Sequence, residues 1–185
     1  MAGTLSRLPD LEIADAADPD VALTALSRAD LPLIEGWLAA PHVARWWGPA
    51  DNSLARIAAH LDDALAPPFL ARARGRPVGY LQVYHANPEP FWAGHELPRE
   101  TFGLDLFIGD VEVLGHGWGP RLIAVALRRL FAMPEVARVQ IDPAPDNESA
   151  IRAYAKAGFR EAGWIVTPDG PALYMTVERS AGSRE

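Results

Sequence analysis

Cysteine is absent from the 185 residues. That removes disulfides, thiolate metal sites and any mechanism that parks an acyl group on a cysteine sulfur. Long apolar runs are missing too. No stretch approaches the roughly 18 residues needed to span a bilayer, and no basic segment followed by an apolar core opens the chain. The expected location is the cytoplasm, with no membrane partner. Positive charge is scarce: 17 Lys and Arg stand against 24 Asp and Glu, a net charge of −7. Such a chain repels polyphosphate backbones, so nucleic acid is not an expected partner, while cationic small molecules and basic peptides are attracted. The five histidines, His42, His60, His85, His95 and His116, show no ligand spacing, and no metal is expected. A glycine-x-serine-x-glycine elbow is lacking, which leaves a serine nucleophile unsupported.

What is present is the balance of a globule able to bury a core, with 49% apolar and 22% charged residues. Residues 1–20 carry Asp10, Glu12, Asp15, Asp18 and Asp20 among small residues and read as an acidic tail or arm. One domain is expected over residues 21–180, followed by a short C-terminal tail at 181–185. Val21 to Ser27 can be a strand. Pro32 and Pro41 sit just inside two helix starts, and Asn52 to Leu65 repeats apolar residues at helical spacing. A hairpin follows, Phe69 to Arg74 and Val78 to His85, turning at Gly75-Arg76-Pro77. Ala86 to Arg99 is a loop rich in proline and aromatics. Phe102 to Ile108 is a strand, Pro120 to Ala132 an amphipathic helix, and Val136 to Ile141 a short buried strand. Asp146-Asn147 caps a helix ending at Gly158, and two last strands flank Thr167-Pro168-Asp169-Gly170. This order predicts an α/β fold, a mixed sheet with helices on both faces.

The glycine cluster Gly115-His116-Gly117-Trp118-Gly119 lies between a strand and a helix. Its amide hydrogens and the positive helix end can converge on a phosphate. A dinucleotide fold would want a small residue where Pro120 stands, and the hairpin upstream breaks the βαβ rhythm. A nucleoside-triphosphate loop would want a glycine-lysine-serine or glycine-lysine-threonine triplet, which is absent. The pyrophosphate of coenzyme A remains.

Leu114-Gly115-His116-Gly117-Trp118-Gly119, followed by Asn147 and then Ala150 through Phe159, resembles the GNAT acetyltransferases. Arg45-Trp46-Trp47-Gly48, Gly103-Leu104-Asp105, Asp142 through Asn147 and Thr167 through Ala172 resemble the aminoglycoside 6'-N-acetyltransferase branch in particular. The resemblance runs from about Val21 to Glu178 and implies a mostly antiparallel central sheet. It also implies acetyl-CoA as cofactor, with its pyrophosphate held by Leu114, Gly115, His116, Gly117, Trp118, Gly119 and Pro120, and with Arg121 assisting. Leu114 stands where many members carry glutamine or arginine. The strand that pairs with the pantetheine arm corresponds to Leu104 through Ile108. Leu106, Phe107 and Ile108 would supply backbone amides that polarise the thioester, and Asn147 would contact the cofactor.

Two side chains are implied in the chemistry. Tyr154 matches the residue that protonates the departing thiolate, and a phenol of reference pKa near 10 holds its proton at neutral pH. Asp105, on a strand that otherwise reads as buried, matches a carboxylate beside the acceptor amine, a general base or anchor. Trp47, Trp92, Asp142 and Asp169 are implied around the acceptor. From Ala86 to Glu112, six acids face only Arg99 and are interleaved with Phe91 and Trp92, which suits a polycationic amino sugar. The expected reaction moves acetyl directly to a primary amine of a small cation. An acetyltransferase for a siderophore hydroxylamine, a lysine derivative or a peptide amine, a non-catalytic acyl-CoA binding module and an NAD-binding module are the alternatives.

Overall fold

Residues 16–179 are described by the computed structural model. Strand β1 (Val21–Ala25) lies beside β2 (Pro68–Ala73), which turns into β3 (Arg76–His85). The turn residues Arg74 and Gly75 take φ of 49° and 78°, the left-handed geometry of a two-residue hairpin. Strand β4 (Thr101–Ile108) continues the antiparallel run, and β5 (Arg138–Ile141) joins it in parallel. Strands β6 (Arg160–Thr167) and β7 (Gly170–Glu178) form the last hairpin, giving the order β1-β2-β3-β4-β5-β7-β6.

Alternation along the strands decides the layering, because successive side chains point to opposite faces. Phe69, Ala71, Leu81, Val83, Phe102 and Leu104 share a core with α4 (Trp118–Ala132) and α5 (Glu148–Lys156). Leu70, Tyr80 and Phe107 point the other way. They pack on α1 (Leu31–Leu38), α2 (Pro41–Trp47) and α3 (Ala50–Ala59) through Ile34, Leu38, Val43 and Ile57. Helices on both faces of a mostly antiparallel sheet are what the sequence predicts.

Local chemistry sets the helix ends. The Asn147 side-chain oxygen accepts the Ala150 amide at 3.2 Å, as the cap reading expects. At the far end of α5, Gly158 takes φ of 103°, and the buried Phe159 donates its amide to the Tyr154 carbonyl at 3.1 Å. Helix α3 is shorter than its apolar spacing suggests. Tight amide bonds from His60 to Ile57 and from Leu61 to Ala58 wind it off, and Asp63 accepts the Leu65 amide in the turn that follows. The proline-rich loop holds one short helical turn, Pro90–Gly94. Helix α4 begins at Trp118, inside the glycine cluster, with Gly117 as its cap at φ of 80°.

One pairing positions the site. Strand β4 meets β5 only at Thr101, Phe102 and Gly103, while β4 runs on to Ile108. Beyond Gly103 the two parallel strands part and leave a fork.

Candidate active site

The fork exposes a row of backbone groups. The Thr101 carbonyl accepts from Ala86, on the β3 side, and the Glu100 carbonyl accepts from Ala137, on the β5 side. Alternation then turns the backbone groups of Leu104, Leu106 and Ile108 toward the fork. Gly109, the next odd residue, donates to Val78 at 2.8 Å, which confirms the phase. Phe107 is therefore a correction: its amide faces β3, and its ring stacks on Tyr80 at 5.3 Å in the second core. At the tip of the fork, His42 Nε2 donates to the Ile108 carbonyl at 3.1 Å.

Beyond the tip, Gly115 and Gly117 take φ of 77° and 80°. A side-chain carbon added at either, or at Gly119, would meet open space. The loop therefore presents bare amides at the N-terminus of α4, the arrangement that binds phosphate. A cavity of about 470 Å³ adjoins it, lined in part by Arg74, Arg76, His116, Trp118 and Arg121. Leu114 and His116 are exposed, while Pro120 and Trp118 are half-buried in the first turn. Arg121 is committed elsewhere: it donates to both Asp18 oxygens, at 2.8 and 2.5 Å, and lies over the Trp118 ring at 4.3 Å. The Arg121 hydrogen bond holds the Asp18 carboxyl below the usual carboxylate range, so the charge expected to assist a phosphate is engaged by Asp18.

On the face shared with α3, Asp105 of β4 and Asp142, just past the end of β5, bring their carboxylates near each other. Burial raises Asp105 to about 6, against the opposing pull of the Arg56 and His60 charges. Burial also raises Asp142 to about 7, and the Asp105 charge adds to the effect. Asp169 sits on the β6–β7 turn at the rim. Its amide donates to the Thr167 hydroxyl at 3.2 Å, and its carboxylate lies 3.7 Å from Arg56. Turn chemistry and a charge facing the site are thus both present. On the other face, Tyr154 is buried in α5. Burial and the nearby Asp105 and Asp142 charges raise its phenol well above 10, so it keeps its proton.

The two aromatic expectations fare differently from the carboxylates. Trp92 is 4% exposed and packs on Tyr174 and Phe91, so it forms a wall rather than an open stacking face. Trp47 is half-buried and meets Phe107 and Tyr80 edge-on at 5.0 and 5.6 Å, joining the second core. Asn147 spends its side-chain oxygen on the helix cap. Sequence reasoning missed Arg56, His60, Gln82, Tyr84 and Gln140. Gln82 donates to His60 Nδ1 and to the Ala66 carbonyl, and it accepts the Tyr80 hydroxyl at 3.0 Å. Tyr80-Leu81-Gln82-Val83-Tyr84 shows polar groups at every second position of a strand, but only the register sets them opposite Gly103 and Asp105.

Comparison with known proteins agrees with this geometry. Residues 27–167 match the acetyltransferase (GNAT) domain. The chain is 36% identical over 176 residues to an aminoglycoside N(6')-acetyltransferase type 1 from Klebsiella pneumoniae, covering 91% of this chain and 88% of the relative. Among solved structures, aminoglycoside acetyltransferase AAC(6')-Ib in complex with coenzyme A superposes with a TM-score of 0.77 at 35% identity, over 86% of this chain and 95% of the other. AAC(6')-Ib with paromomycin and acetyl-CoA gives 0.79 at 34% identity, over 90% and 98%. With a forked sheet, a bare glycine loop at a helix start and a family match across most of its length, the chain belongs to the GNAT family of acetyl-CoA-dependent N-acetyltransferases.

Proposed function

We propose that this enzyme acetylates a primary amine of an aminoglycoside, at the 6' position. The carrying observation is the set of carboxylates converging on the fork, Asp105 on β4, Asp142 just past the end of β5 and Asp169 at the rim. Such a pocket selects a cationic acceptor, and relatives of similar length are named for this substrate class.

The residues fit coenzyme A. The amides of Gly115, Gly117 and Gly119 suit its pyrophosphate, and the open edge at Leu104 and Leu106, with the Ile108 amide, suits the amides of its pantetheine arm. When bound, acetyl-CoA supplies an activated acetyl thioester. Asp105 attracts the ammonium and then takes or relays its proton; a carboxylate near 6 is suited to that work at neutral pH. The amides of Leu106 and Ile108 are the fork-facing donors available to a developing oxyanion. Tyr154 Oη keeps its proton until the leaving sulfur needs it. Since cysteine is absent, the amine attacks directly, and alignment of the reactants can contribute on the order of 7–11 kcal/mol.

The test is an acetyl-CoA consumption screen over aminoglycosides, polyamines, siderophore precursors and peptides, with thiol release as readout. Turnover of kanamycin-type aminoglycosides is expected. Robust turnover of another amine class, with none here, overturns the acceptor and leaves the family standing.

A further inference from the structure

Tyr84 borders the fork and has no part in the scheme above. It lies opposite Gly103 across the β3–β4 pairing. A side-chain carbon on Gly103 would stand 2.3 Å from the Tyr84 hydroxyl oxygen and closer still to the ring, so the phenol lies flat over the glycine. Gly103 is also the last residue of β4 that pairs with β5. The half-buried tyrosine thus floors the fork at the point where the strands part.

The surroundings of the tyrosine are polar. Gln140 pairs with Gly103 from the β5 side, so its side chain stands next to Tyr84 on the same face of the sheet, and Asp105, two residues along β4, lies on that face too. Gln140 is 0% exposed. Its Oε1 accepts the Tyr174 hydroxyl at 2.7 Å, while its Nε2 makes no formed hydrogen bond. A buried amide without a partner is costly, and Tyr84 stands across Gly103 from it. With the Gln140 amide beside it across Gly103 and the Asp105 carboxylate on the same face, the Tyr84 hydroxyl, which can both accept and donate, borders the acceptor pocket.

We infer that Tyr84 is a specificity residue whose O–H donates to a ring hydroxyl of the acceptor, with Gly103 and Gln140 as its positioning residues. Carboxylates read positive charge and treat an amino sugar and an alkyl polyamine alike. A neutral donor tells them apart, because only the sugar carries an oxygen to receive it. This deepens the acceptor reading above and rests on it.

The experiment compares kcat/KM for kanamycin B and its 3',4'-dideoxy analogue in wild type and Tyr84→Phe, a substitution that keeps the ring on Gly103. The expected result is a loss of about tenfold on kanamycin B and little change on the dideoxy sugar, so that the preference between them disappears. Gln140→Leu, which removes the amide beside Tyr84, is expected to reproduce part of that loss on kanamycin B alone. Equal losses on both sugars assign Tyr84 a structural role and overturn the inference, as does no loss on either. If the wild type turns over neither sugar while acetylating another amine, the acceptor reading itself fails and takes this one with it.

Discussion

Asp105 and Asp142 face each other across the mouth of the fork. Asp105 sits on β4 and Asp142 just past the end of β5, both lifted by burial, and the charge of the first raises the second further. A pair arranged in this way accepts a cation readily and titrates close to neutrality.

Activity should follow that titration. Because the base must be unprotonated, kcat/KM is expected to rise with pH through a limb between about 6 and 7. Asp105→Asn should cost about 10²-fold or more in kcat and remove the limb. A pH–rate profile of both proteins checks this, and an unchanged limb in the variant places the base elsewhere.

Stability should run in the opposite direction. Each carboxyl has a folded pKa above its reference of 3.8, so the folded state binds more protons than the unfolded one between about pH 4 and 7. The pair's contribution to stability therefore falls as pH rises through that window. Asp142→Asn should raise the apo melting temperature by roughly 2–4 °C at pH 8 and by less at pH 5, which thermal scans at the two pH values will read.

Tyr154→Phe removes a proton and leaves the packing against Phe159 in place. The expected effect is a fall in kcat of about 10²-fold with both KM values nearly unchanged. Steady-state kinetics with thiol detection provide the measurement, and a rise in the acetyl-CoA KM alone would assign the residue to binding.

Gly117→Ala asks how much the loop depends on bare backbone. Alanine at φ of 80° carries strain of roughly 1–2 kcal/mol, and its methyl projects into the space open above the loop. Calorimetry with coenzyme A should show affinity weakened by about tenfold or more, with the acceptor site untouched.

The order of elements was legible because its signals are local. Prolines at helix starts, the asparagine cap and the glycine followed by Phe159 each act over a few residues, and the structure places them where the sequence indicates. Asp105 was visible as an acid between leucines. Tyr84 and Gln140 were not, since their importance arises from register: Tyr84 opposite Gly103, and Gly103 beside Gln140, are pairings between strands distant in sequence. Trp92 was legible as an aromatic in an acidic loop, but its burial against Tyr174 depends on where β7 lies. Arg121 looked like a phosphate ligand because its partner Asp18 stands more than a hundred residues away.

The parting of β4 from β5 leaves room for one removable strand, recognised through main-chain groups that every residue type shares. Substitutions along that edge can drift without erasing carrier recognition. The acceptor side is built from side chains, and each exchange there changes what is admitted. A lineage with this architecture can change its amine acceptor while keeping one unaltered source of acetyl groups.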